Sequence, residues 1–176
     1  MIVFGDFDLT DFWSGGEYER KTYVSAELNE SLLRSVEQEL GVKLPESYVE
    51  LMKVQNGGTP SKNSHYTSSP TSWAKDHIAI SGIYGIDRNL DCSLCGYYST
   101  KFWMEEWGYP PIGVYFADCP SAGHDMLCLD YRNVFGNSQP TVVHVDQAYD
   151  YRVTLVAPDF ESFIRGLKDE NEFDLD

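Results

Sequence analysis

Between residues 112 and 156 the chain carries four short apolar segments, at 112–117, 126–131, 141–145 and 152–156. Turn signals separate them: Ser121-Ala122-Gly123, Gly136-Asn137-Ser138 and the stretch 147–150. Links this short have no room for a crossover helix, which takes a dozen or more residues, so the strands are predicted to pair antiparallel with their neighbours. A further strand is predicted at 77–84. This run of β segments excludes an alternating βαβ architecture and leaves the helices to the ends of the chain.

The helices are legible from spacing. Ser25 can cap a helix whose apolar positions Leu28, Leu32, Val36 and Leu40 recur every fourth residue, and Gly41 can end it. Pro45 suits the first position of a second helix, with Tyr48, Leu51 and Met52 as its stripe and Asn56-Gly57-Gly58 as its stop. Asp159 can cap a last helix in which Phe160, Phe163, Ile164 and Leu167 fall on one face. The expectation is one α+β domain: a mixed, mainly antiparallel sheet packed by two N-terminal helices and one C-terminal helix. A length of 176 residues agrees, since single domains commonly run about 100–200. Residues 1–24 read as an irregular aromatic and acidic arm, 25–168 as the body, and 169–176 as an acidic, frayed tail. Two long connectors interrupt the body. Residues 59–76 are a polar loop, and 88–109 hold a short aromatic helix around 102–107.

Charge narrows the function. With 13 Lys and Arg against 28 Asp and Glu, the net charge is −15. Backbone binding to nucleic acid needs clustered cations, so no direct nucleic-acid partner is expected, and the same holds for an anionic membrane surface. A basic protein is the better-matched partner. The start MIVFGDFDLTDFW lacks a positive segment followed by an apolar run of about 7–15 residues, so a cytoplasmic location is expected. Reduced thiols follow from that for Cys92, Cys95, Cys119 and Cys128.

Two constellations carry possible metal or acid–base chemistry. Cys92 and Cys95 have the spacing of two zinc ligands, with Cys119 and Cys128 able to complete a set. Cys128 lies inside a strand between Leu127 and Leu129, however, and cysteine is a common core residue. Asp118, His124, Asp125 and Asp130 fall around one hairpin, with His144 and Asp146 on a later strand. Aspartates at turn ends ordinarily bond their own backbone. Neither a metal, nor a cofactor, nor a catalytic set is expected, and His65 and His77 read as solvated loop residues.

The ordered segments resemble the SUKH superfamily, in its Smi/Knr-type branch. The resemblance rests on Leu44-Pro45-Glu46-Ser47-Tyr48 opening the second helix and Asn56-Gly57-Gly58 closing it. It continues through Ile112-Gly113, Asp118, the turn Gly123-His124-Asp125, the strand Leu127-Cys128-Leu129-Asp130, Pro140-Thr141-Val142 and a closing helix with Phe163. It implies a mixed α+β sheet and a role without catalysis. Bacterial members resemble immunity proteins that bind a toxin domain, often a nuclease or deaminase. Fungal relatives are associated with cell-wall synthesis and signalling, which makes a regulatory protein-binding scaffold the alternative. On the immunity reading the partner is a cognate toxin, basic where it grips phosphate.

Aromatic residues make up 14% of the chain. Trp73, Tyr97, Tyr98, Trp103, Trp107 and Tyr109 lie in the two connectors, where they either anchor an interface or cover the sheet as a satellite core. With Glu105 and Glu106 between two tryptophans, these residues form the predicted partner-binding set.

Overall fold

In the computed structural model, which describes residues 2–173, the helices are α1 (Glu17–Tyr23), α2 (Glu30–Leu40), α3 (Glu46–Val54), α4 (Thr100–Trp107) and α5 (Phe160–Arg165). A two-stranded sheet pairs β1 (Ser64–Tyr66) with β2 (His77–Ala79). The main sheet holds β3 (Gly82–Ile83), β4 (Gly113–Asp118), β5 (Asp125–Asp130), β6 (Thr141–Asp146) and β7 (Arg152–Ala157) in sequence order. Every pairing in it is antiparallel. The α+β expectation holds, and the short turns account for the meander. No helix among the described residues is long and apolar enough to cross a membrane.

The core explains the order of elements. Tyr48 from α3 meets Phe160 from α5 at 4.6 Å and Phe116 from β4 at 6.0 Å between ring centroids. Phe163 closes the group against Phe116 at 5.7 Å. The Tyr48 hydroxyl donates to the Tyr84 carbonyl, which ties α3 to the segment after β3. On β4 the neighbouring Tyr115 packs on Tyr109, and its backbone N–H donates to the Thr100 hydroxyl at 2.9 Å. Helices therefore cover both faces of the central strands, and β5 is buried at every position. That double burial is why these segments read as apolar runs instead of alternating ones.

Several boundaries differ from expectation for local reasons. The arm is not wholly irregular, because α1 forms in it; this helix buries only Tyr23, so it shows no apolar stripe. Nor does Ser25 cap α2. Its N–H is held by the Asn56 carbonyl at 2.8 Å, and Asn29 caps instead, accepting from the Leu32 N–H. Pro45 stands at the cap of α3, one residue ahead of its first helical position. The strand predicted at 77–84 splits in two, since Ile80 bonds Asn63 while Ser81 bonds Asp118, and the chain changes partner there. The polar loop 59–76 contains β1. The acidic tail is pinned over the part described: Lys168 pairs with Ser64, and a capping box on Asp169 holds a turn at Glu170–Glu172. Its last three residues lie outside the described residues.

His77 is buried, stacked on Phe173 at 4.4 Å with its ring bonded to Asp76 at 2.7 Å. His65 stacks on Phe163, and burial lowers its pKa. The solvated reading of both is corrected. Asn56-Gly57-Gly58 does more than stop a helix. The Asn56 side chain bridges the Ala26 carbonyl and both backbone groups of Ile86. A Cβ on Gly57, where φ is +91°, would come within 2.3 Å of the Tyr23 carbonyl. The tripeptide is a junction between α1, α2 and the sheet.

Candidate partner-binding site

The connector 88–109 folds over the sheet as an aromatic ladder. Centroid separations are 4.9 Å for Tyr97 to Tyr98, 5.1 Å for Tyr98 to Phe102, 5.0 Å for Phe102 to Trp103 and 5.6 Å for Trp103 to Trp107. The Trp103 indole N–H donates to the Tyr98 carbonyl at 3.0 Å, and Gly108 ends α4 in the left-handed region. The ladder runs from solvent to core: Tyr97 is 65% exposed, Tyr98 37% and Trp103 only 7%. Glu105 and Glu106 are exposed beside it.

Below the ladder opens a cavity of about 400 Å³, lined among others by Tyr84, Tyr98, Phe102, Trp103, Trp107 and Asp118. Gly123 shapes its wall. With φ +94° and a Cβ position 2.8 Å from the Trp103 ring, only glycine fits there. Asp118 ends β4 at the cavity floor. The Tyr23 hydroxyl donates to both of its carboxylate oxygens at 2.9 Å. Burial raises the Asp118 pKa to about 6, against the lowering effect of that hydroxyl and nearby backbone amides. Among the described residues no Lys, Arg or His forms an ion pair with Asp118. Tyr84 also lines the cavity, and its hydroxyl is buried without a hydrogen-bond partner.

The predicted contact set divides on this geometry. Tyr97, Tyr98, Glu105 and Glu106 are on the surface and Trp107 is half-buried. Tyr109 is a core residue, 2% exposed, whose hydroxyl donates to Gly123, so its place in the contact set is corrected. Trp103 faces the cavity instead of the outer surface. Trp73, 37% exposed, sits on the other connector, beside Ser72, whose N–H and hydroxyl bond Asp146 at 2.8 and 2.6 Å. Sequence reading placed Asp118 as a turn residue and Tyr23 as part of the arm, and it gave Tyr84 no role. Nothing in spacing joins the three.

The acid and histidine set does not gather as the hairpin suggested. Asp125 and Asp130 stand at opposite ends of β5, and Asp130 is bound by Arg132 at 2.7 Å. His124 is exposed and bonded to Gln147. His144 and Asp125 form a buried pair at 2.7 Å, and one ligand atom from each lies within 4.8 Å of the Cys119 thiol. The four cysteines are all free. Burial pushes the Cys92 and Cys95 thiols up to about 12, and those of Cys119 and Cys128 well above the ordinary thiol value. Thiols held protonated are poor nucleophiles.

Residues 27–166 match the SMI1 / KNR4 family (SUKH-1). The chain belongs to this family. No curated protein matches it as a relative. As a SUKH-1 domain it keeps both long connectors inside the matched region. The match begins after α1, so the family span includes Asp118 but not Tyr23, the residue that positions its carboxylate.

Proposed function

We propose that this SUKH-1 protein is an immunity protein, which binds and neutralises a cognate toxin domain in the cytoplasm without catalysis or cofactor. The observation that carries this reading is the aromatic ladder whose outer rings Tyr97 and Tyr98 are exposed over a half-buried Phe102, flanked by Glu105 and Glu106, on a chain of net charge −15. Tyrosine and tryptophan anchor protein interfaces through large area at low entropic cost, and surrounding acid steers a basic partner and rejects an acidic one. A nuclease, or another toxin domain that is basic where it meets its substrate, has the matching surface.

The test is protection. Cells expressing the toxin encoded beside this chain are expected to grow when the chain is co-expressed and to arrest without it. Arrest in both cases would refute the reading. Retention of several unrelated signalling or cell-wall proteins in place of one toxin would point to a regulatory scaffold.

A further inference from the structure

We propose that the cavity under the aromatic ladder is a receptor for one arginine side chain of a basic protein partner, with Asp118 as its counter-ion. The inference rests on the immunity reading for the identity of that partner, and on the cavity alone for the chemistry of what enters.

Three features of the cavity converge on a guanidinium. Its walls include the rings of Tyr98, Phe102, Trp103 and Trp107, and aromatic rings attract a cation placed over the face within about 6 Å of the centroid, tryptophan most strongly. Its only carboxylate is Asp118, which is held in place by Tyr23 and has no cationic neighbour among the described residues. Its lining also holds Tyr84, whose buried hydroxyl has no hydrogen-bond partner, and the thiol-bearing Cys92 and Cys119. A desolvated carboxylate without a cationic partner is costly, and an entering cation relieves that cost. Arginine fits better than lysine. Its planar group stacks on rings and carries five donors in a fixed fork that can engage a carboxylate bidentately, while an ammonium is a compact, strongly hydrated charge.

The cavity also has a size and position suited to this use. About 400 Å³ is at the small end of ligand sites, room for a single long side chain. It opens beside Tyr98, so an arginine that enters it brings the flanking backbone of its protein onto the exposed ladder. The cavity then supplies the anchor, and the ladder supplies the area around it.

The test needs no toxin. N-acetyl-arginine methylamide is titrated into the folded chain while the indole resonances of Trp103 and Trp107 are followed by NMR, with the citrulline and norleucine analogues as controls. Saturable shifts of both indoles by the arginine probe are expected, with the uncharged citrulline analogue binding about tenfold more weakly, as loss of a charge-assisted hydrogen bond predicts. Asp118→Asn should reduce arginine binding by about the same factor, and Trp107→Leu offers a second variant that leaves the carboxylate in place. No indole shift with arginine, or equal binding of arginine and norleucine, would overturn the proposal. Arginine binding by a chain that gives no protection against the toxin would refute the immunity reading and leave the receptor standing; protection by a chain that binds no arginine would do the reverse.

Discussion

The Tyr23 hydroxyl donates to both carboxylate oxygens of Asp118 at 2.9 Å, joining residues 95 apart in sequence. This contact fastens α1 to the end of β4 and fixes the one carboxylate that faces the aromatic cavity. Tyr23→Phe should cost about 1.5–3 kcal/mol, the range for a hydrogen bond to a charged group. It should also push the Asp118 pKa above about 6, since burial would then act with less opposition. Urea unfolding and an NMR titration of the carboxyl check the two effects; an unchanged pKa would contradict the arrangement.

Asp118 also sets a pH dependence. Its pKa stands at about 6 in the folded chain against an ordinary 3.8. Between those values the folded chain retains a proton that the unfolded chain has released. The contribution of this group to stability therefore falls as pH rises through that window, and it is lowest above it. Asp118→Asn should remove this slope and leave the protein at least as stable as the native chain near pH 7.5. Thermal unfolding across the window, compared between the two proteins, reads this directly.

Asp125 and His144 form a buried pair whose loss leaves an unpartnered polar group inside the sheet. Asp125→Ala should destabilise the fold by about 3 kcal/mol. Asp125→Asn, which can still accept a hydrogen bond from the ring, should cost clearly less. Equal losses in chemical denaturation would mean that the pair contributes only by filling space.

Gly123 holds the cavity open. A Cβ there would meet both tryptophan rings, and the backbone sits at φ +94°. Gly123→Ala should cost about 1–3 kcal/mol and displace Trp103 and Trp107. A changed tryptophan emission spectrum at full folding would report that displacement.

Glu105 and Glu106 act at a distance. On the immunity reading, Glu105→Gln with Glu106→Gln should slow association with a basic toxin several-fold at low salt and leave dissociation almost unchanged. Stopped-flow association at two ionic strengths checks this.

The sheet and its helices were legible because turn chemistry and apolar spacing are local. Gly41, the Tyr48–Leu51–Met52 stripe and Asp159 each act within a few residues of themselves. What escaped reading was built across long separations. Helix α1 shows no stripe because a single side chain, Tyr23, docks it. The segment 77–84 looks like one strand because its change of partner is decided by Asn63 and Asp118, neither of them nearby in sequence. The site divides the same way. The aromatic content of 88–109 drew attention to that connector, but the cavity beneath it needs Tyr84 from after β3, Asp118 from β4 and Gly123 from the following turn. Tyr109, indistinguishable from its neighbours in sequence, belongs to the core because its hydroxyl finds Gly123.

The central claim is that the ladder binds one basic toxin, and the most direct measurement is the stoichiometry of that complex. The native chain and a Tyr97→Ala, Tyr98→Ala variant, both confirmed folded, are titrated against the candidate toxin domain by calorimetry, with toxin activity read in parallel. The account predicts one toxin per native chain, activity abolished at equivalence, and both effects lost or severely weakened in the variant. Full inhibition by the variant, or inhibition far below equivalence as an enzyme would give, would contradict it.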